Sequence, residues 1–295
     1  VSKLIRLSKT GIEYSDYRVN GGRLMKRLGH TGIEYAINPD GSRGYAWNFI
    51  SGCGNNIDGL CKDGGFNCWA YSITQRFKDR YPHGFNPTVY PEALLRPLHL
   101  KKPSRILCAF MGDLFGDWFA PHDMIHIEGM PKGYTLKSWV FSVINQCPQH
   151  TFIFLTKQPQ NLIKWSPFPS NCQVGQTITQ CLDGIGYMAD VEAKVKFISF
   201  EPLLFYNVDP LTAASLFKAN GIKWVAIGAL TGTYRELLEI HPKLTPMPYG
   251  NKWTLQPPVE WLREIETAAR IVGIPIYEKN NLRPLLGDNL CREMP

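Results

Sequence analysis

The sequence predicts an α/β protein, an open or partial βα barrel preceded by an irregular N-terminal arm. Three observations carry this prediction. Short apolar runs recur from Trp47 onward, and segments of helical spacing fill several of the gaps between them. Most of the runs end in glycine or a polar residue, as strands do where loops begin.

Seven runs read as strands: residues 47–51, 105–110, 151–155, 173–178, 196–200, 224–227 and 275–277. Most are continuously apolar, which suits strands of a parallel sheet buried on both faces. Trp69, Ile73 and Phe77 fall at i, i+4 and i+8, the spacing of one helix face, and Tyr81-Pro82 ends that stretch. A second helical candidate, 136–147, stops at Pro148, and a third, 211–220, is closed by Gly221. The fourth, 259–272, follows Pro257-Pro258 and ends at Gly273, a good start and stop pair. Strands alternating with helices argue for βα units. Periodicity leaves a doubly wound open sheet as the alternative.

Residues 46–282 are therefore expected to form the barrel and 283–295 a C-terminal tail. Residues 1–45 are rich in Gly, Tyr and Arg and read as an arm or β-ribbon. They hold a short echo, Thr10-Gly11-Ile12-Glu13-Tyr14 and Thr31-Gly32-Ile33-Glu34-Tyr35. Two copies are too few for a solenoid.

Composition bounds the function. The chain has 295 residues, 44% hydrophobic and 19% charged, so disorder is excluded as its overall state. A chain this long buries a sizeable core without metals or disulfides. The charge, 32 − 25 = +7, suits a nucleic-acid or phosphate partner and equally an ordinary basic surface. No run approaches the ~18 apolar residues that span a membrane. The start, Val1-Ser2-Lys3-Leu4-Ile5-Arg6, has no secretory pattern. Eight cysteines in such a chain read as thiols or metal ligands of a cytoplasmic protein.

The strand ends carry the polar groups: Ser51-Gly52-Cys53, Met111-Gly112-Asp113, Thr156-Lys157, Gln176-Thr177, Glu201-Pro202, Gly228 and Glu278-Lys279-Asn280. In βα barrels the active site forms at the C-terminal ends of the strands. Loops begin with polar residues in any protein. That rule explains less well the charges of Lys157, Glu201 and Lys279 directly after apolar runs.

Cys53, Cys61 and Cys68 lie within 16 residues, in a loop that also holds Gly54, Gly59, Gly64 and Gly65. Glycines let a short loop wrap closely around a ligand. Cys68 opens a predicted helix, whose N-terminus favours thiolate. Three thiolates leave one position of a tetrahedral site open, whereas structural zinc normally closes all four. Iron–sulfur, zinc and no metal all remain open on the spacing alone.

Seven ordered motifs then carry a resemblance over residues 30–282. They are Ile33-Glu34-Tyr35, Trp47-Asn48 through Gly52-Cys53 with Cys68-Trp69-Ala70, Gly112-Asp113-Leu114-Phe115, Pro148-Gln149-His150-Thr151-Phe152, Leu155-Thr156-Lys157-Gln158-Pro159, Glu201-Pro202-Leu203-Leu204 and Trp224-Val225-Ala226-Ile227-Gly228. The chain resembles the radical S-adenosylmethionine superfamily. Within it, the chain is most similar to a phage-encoded three-cysteine family of unknown function, related to spore photoproduct lyase. It departs from the usual Cys-x3-Cys-x2-Cys spacing at both gaps. Ala229-Leu230-Thr231-Gly232 stands where the family tends to carry Gly-Glu-Ser-Gly.

The resemblance implies the following. Cys53, Cys61 and Cys68 hold a [4Fe-4S] cluster, and S-adenosylmethionine is the cofactor. Met111, Gly112 and Asp113 hold the cofactor's amino group; helix capping is the alternative for Asp113. Gln176 and Thr177 meet its ribose, and Gly228 lets the adenine approach. Lys157, Glu201 and Lys279 are the catalytic candidates, to be weighed against surface or salt-bridging roles. Core packing is the expected role of Trp69. Cys108, Cys172 and Cys181 are the hydrogen donors to consider for lyase chemistry.

The implied function is radical chemistry of isomerase or lyase type on a modified thymidine or nucleobase, as in phage DNA hypermodification. Nucleic acid or a modified nucleotide is then the substrate, an external donor supplies the electron, and the cell is bacterial or phage-infected. The alternatives are a photoproduct-type DNA repair lyase, a zinc- or cluster-stabilised nucleic-acid-binding protein without activity, and a radical enzyme for a small metabolite.

Overall fold

The computed structural model describes the backbone of Glu13–Tyr14 and, with side chains, residues 28–238, 240 and 243–295. Most of the arm, including the first copy of its echo apart from Glu13–Tyr14, lies outside the described residues.

Eight strands form the main sheet: β1 Gly29–His30, β2 Tyr45–Trp47, β3 Arg105–Cys108, β4 Thr151–Thr156, β5 Cys172–Thr177, β6 Val195–Phe200, β7 Ile222–Ile227 and β8 Ile276–Glu278. Their spatial order repeats their chain order, and the sheet does not close. This is the progressive winding of a partial βα barrel and not the reversal of a doubly wound sheet. The helices are α1 Trp69–Arg76, α2 Leu136–Asn145, α3 Leu162–Trp165, α4 Pro210–Ala219, α5 Tyr234–Leu238, α6 Val259–Val272 and α7 Arg283–Leu286.

The chain divides into two compact units. One holds the described residues up to Gly59 with Cys68–Gln173 and Glu192–Lys194; the other holds Leu60–Asn67, Val174–Val191 and Val195–Pro295. In the first unit β2, β3 and β4 are parallel neighbours, so their C-terminal ends share one edge. Trp47, Ile106, Leu107, Phe152 and Ile153 are fully buried there, as continuous apolar runs require. The expected strand 47–51 divides in two. Its second part, Ile50–Ser51, leaves the main sheet and pairs antiparallel with Thr88–Val89.

The side chains of α1 correct an expectation. Its buried residues are Ala70 and Thr74, whereas Trp69 is 56% exposed and Phe77, the C-cap residue just beyond it, 49% exposed. The small side chains face inward, and the aromatic stripe that reads as core stands in water. Helix α2 is held by a reciprocal capping box of Thr135 and Ser138, a start that apolar spacing does not report.

In the second unit β6, β7 and β8 are parallel neighbours and again share one C-terminal edge. Asp209 caps α4 by accepting from the Leu211 and Thr212 N–H groups. Helix α6 spans the expected residues and ends on Gly273 in the left-handed region, φ 67°. It buries Leu262, Ile265, Ala268 and Ala269 on one face.

This unit also holds a three-stranded antiparallel sheet that apolar periodicity does not announce. Lys252–Gln256 is its middle strand, flanked by Leu230–Gly232 and Thr245–Tyr249. Pro246 and Pro248 hid the last of these, since proline argues against a strand. It is an edge strand, where a proline whose missing N–H would face outward costs no ladder bond. The sheet packs Leu230 and Leu255 with Phe66, Leu204, Leu237 and Leu244 in one apolar cluster. Of residues 283–295, expected as a tail, the first four form α7 and residues 291–293 return along β8: Glu278 N–H donates to the Cys291 carbonyl and Glu293 N–H to that of Ile276.

Candidate functional site

The first unit carries Cys53 and Cys68 and three of the polar strand ends. Gly52 N–H donates to the Met111 carbonyl at 3.0 Å, which joins the start of the cysteine loop to the β3 end. Gly112 is required there, because a Cβ would meet the Gly52 oxygen at 2.4 Å. The Trp118 ring lies against Gly54, where a Cβ would stand 2.6 Å from it, and its indole N–H donates to the Asp113 carbonyl. Gln158 completes the cradle. Its amide donates to the Asn55 side chain at 3.2 Å, while its oxygen accepts from Asp117 N–H and Asn161.

Asp113 is buried, and its two oxygens are fully employed. They accept from the Thr156 hydroxyl at 2.8 Å, Lys157 N–H at 2.9 Å and Phe115 N–H at 3.0 Å. Burial raises its pKa, while these hydrogen bonds and the Lys157 charge oppose the rise. The carboxylate thus joins the ends of β3 and β4. Met111 is buried, and Lys157 is half-buried at the same strand edge.

Cys68 is the N-cap residue of α1, and its N–H donates to the Gly59 carbonyl at 2.8 Å. Cys61 belongs to the second unit. Its N–H donates to the Phe66 carbonyl at 2.9 Å, its own carbonyl accepts from Gly65 N–H, and its side chain packs against the apolar cluster of Leu204 and Leu255. Asp63 is held beside it through a hydrogen bond from Thr179 to the Asp63 carbonyl.

Glu201 and Lys279 form an ion pair at the β6 and β8 ends, with side chains 16% and 20% exposed. The other Glu201 oxygen accepts from the Ser199 hydroxyl at 2.8 Å. Gly228 sits beneath this pair, where a Cβ would stand 3.1 Å from Glu201 and from Lys279. Asn281, which no local pattern in the sequence marks, clamps the same turn by donating to the Ala229 carbonyl and accepting from its N–H. Gln176 is buried at the β5 end. Its amide donates to the Asp183 carbonyl at 2.8 Å, and its oxygen has no hydrogen-bond partner. Thr177 follows, half-buried.

All eight cysteines are thiols. Cys108, Cys147 and Cys172 are buried, and burial raises the pKa of each. Cys181 is partly exposed and donates to the Asn207 side chain at 2.9 Å. The three loop cysteines are also partly exposed. Among the described residues no three His, Cys, Asp or Glu side chains are gathered into a metal-holding group. The donor set itself, three thiols on one glycine-rich loop, has the soft chemistry that iron–sulfur clusters take. The orphaned Gln176 oxygen is an acceptor of the kind a ribose hydroxyl needs. By donor chemistry, then, the residues fit both groups.

Fold and strand-end chemistry define the class: an open, mostly parallel βα sheet with its polar groups at the C-terminal strand edges. The chain belongs to the family described as Protein of unknown function (DUF5131), whose model matches residues 31–242. That description names no phage source. No curated protein matches the sequence. The fold is similar to that of a cysteine-to-serine variant of spore photoproduct lyase, with 13% identity and a TM-score of 0.50 over 95% of this chain and 88% of that one. A cysteine-to-alanine variant with dinucleoside spore photoproduct gives 12% identity and a TM-score of 0.43, over 87% and 80%. No helix among the described residues is long and apolar enough to cross a membrane.

Proposed function

We propose that this chain is a radical S-adenosylmethionine enzyme acting on a nucleobase, in nucleic acid or as a modified nucleotide. The observation that carries the reading is the cysteine loop. Three partly exposed thiols occupy one glycine-rich loop, which follows β2 in a fold similar to that of spore photoproduct lyase. Cys53, Cys61 and Cys68 would hold the cluster. Cluster and S-adenosylmethionine, if bound there with an electron from an external donor, would supply radical hydrogen-abstraction chemistry.

The chain's own residues supply binding and order. Asn55, held by Gln158, and Gly54, covered by Trp118, fix the loop next to Cys53. Gln176 offers an unpaired acceptor to a ribose hydroxyl. Asp113 has its oxygens engaged by protein donors, so its role is to position the Met111-Gly112 turn and Lys157. An amino group in this region would meet backbone carbonyls. Lys279 neutralises Glu201 and leaves the pair able to exchange partners with a polar substrate group.

Within this class the reading is isomerase or lyase chemistry on a thymidine-derived base, as in DNA hypermodification, with an external electron donor. A repair lyase that closes its cycle through a cysteine thiol is the second reading. Burial of Cys108 and Cys172 removes two of its three candidate donors and leaves Cys181.

The test is anaerobic purification with iron and sulfide analysis, then reduction with S-adenosylmethionine. About four irons per chain and 5′-deoxyadenosine, both lost in Cys61→Ala, support the reading. Zinc or no metal, with no cleavage product, moves it to a nucleic-acid-binding protein.

A further inference from the structure

We propose that the outer face of α1 is a docking surface for single-stranded nucleic acid. Trp69, Ile73 and the C-cap residue Phe77 recur every four residues and so fall on one side of the helix and its C-terminal end. Two of the three are about half exposed, and Ile73 is half-buried. Leaving two large aromatic side chains in water forgoes the burial that stabilises most such residues. At ~1.5 Å per residue the two rings are about 12 Å apart along the helix, enough for separate bases to stack.

Charge selects the partner. Arg76, Lys78 and Arg80 lie on the same exposed stretch, with Asp79 the one acid among residues 76–80, so the segment carries 3 − 1 = +2. The Arg80 guanidinium lies 5.7 Å from the centre of the Tyr81 ring. Exposed aromatic rings beside cations are what a strand with free base faces and phosphates recognises. A duplex keeps its base faces stacked and offers this surface phosphates alone. An apolar protein surface would match the rings and leave the cations unanswered. The inference deepens the nucleic-acid reading above and rests on it for the substrate class. Helix α1 begins at the residue after Cys68, so a strand docked on it passes close to the end of the cysteine loop.

The test is fluorescence anisotropy of a short labelled oligothymidine with the full chain as purified, over a range of salt. Trp69→Ala and Phe77→Ala are each expected to weaken single-strand binding about fivefold or more, the lower bound of stacking by one base. Their unfolding midpoints should be unchanged. Arg76→Glu with Lys78→Glu should lower the slope of log affinity against log salt by about 0.7 per lost contact. Phe77→Ala lies well beyond Cys68, so it carries the test should Trp69→Ala lose iron. Equal affinity in the folded variants overturns the proposal. So does a wild-type chain that binds no oligothymidine, or one that dimerises through this face and is made monomeric by Phe77→Ala. Formation of 5′-deoxyadenosine is measured in parallel without nucleic acid. Its absence beside intact binding defeats the enzyme reading alone, and intact cleavage with variant-insensitive binding defeats the surface alone.

Discussion

The Thr156 hydroxyl lies 2.8 Å from both carboxylate oxygens of Asp113, and this one contact joins the ends of neighbouring parallel strands. The backbone N–H groups of Phe115 and Lys157 complete the set. The turn that carries Met111 and Gly112 is thereby fixed relative to Lys157.

Asp113→Ala strands the Thr156 hydroxyl, the buried Phe115 N–H and the half-buried Lys157 N–H. Each buried donor left unpaired costs about 1–3 kcal/mol, so the unfolding midpoint of the metal-free chain should fall by several degrees. Asp113→Asn keeps an acceptor and should cost less. Equal midpoints for all three chains would show that the carboxylate holds nothing.

The cysteine loop depends on Gln158 and on the Gly54–Trp118 contact. Gln158→Leu releases Asn55. Gly54→Ala brings a methyl group to 2.6 Å from the Trp118 ring. Both should lower the iron retained per chain after reconstitution, with circular dichroism unchanged. Full iron retention in both variants would refute a positioning role.

Glu278 supplies a pH dependence. It is buried, Glu266 stands beside it, and one of its oxygens accepts from Cys291 N–H at 2.8 Å. Burial first, with Glu266 beside it, pushes its pKa up to about 7, against the hydrogen bond from Cys291 N–H and the attraction of Arg292. The folded chain therefore holds this proton more tightly than the unfolded chain. Its contribution to stability is full below about pH 4.5 and is lost as pH rises through 7. Thermal unfolding should show the midpoint falling between pH 5 and 8, and Glu278→Gln should flatten that slope. A slope unchanged by the substitution would count against this assignment.

Glu201 and Lys279 are mostly buried, so their coupling should exceed that of a surface pair. A double-mutant cycle of Glu201→Gln and Lys279→Met on chemical unfolding should give on the order of 1–3 kcal/mol. Coupling near zero would mark the pair as solvent-screened.

Thiol chemistry separates the cysteines. Three are buried and five partly exposed, so a thiol reagent should label five per metal-free chain quickly and the remaining three only on unfolding. Protection of Cys53, Cys61 and Cys68 on reconstitution would mark them as ligands. Uniformly fast labelling of all eight would contradict the buried class.

Much of the fold was legible because its signals are local. The continuous apolar runs announced strands buried on both faces, and 259–272 showed both its start and its stop. The cysteine loop was equally visible, since its three donors and its glycines are close in sequence. Other features needed partners distant in the chain. Gln158 reads as an ordinary polar residue until Asn55, 103 positions away, accepts its hydrogen bond. Asn281 gains its role from Ala229, 52 positions away. Pro246 and Pro248 argue against a strand until the sheet order makes theirs an edge. The stripe of Trp69, Ile73 and Phe77 fixed a helix but not which of its faces would be buried. Periodicity reports that a face is apolar, and the packing of Ala70 and Thr74 decided which face went inside. The sequence by itself determined the class of fold and the thiol-rich loop, because both follow from local pattern. Only the tertiary structure decided which polar groups are consumed by neighbours and which stay open to a ligand, because hydrogen-bond satisfaction depends on contacts between residues far apart in the chain.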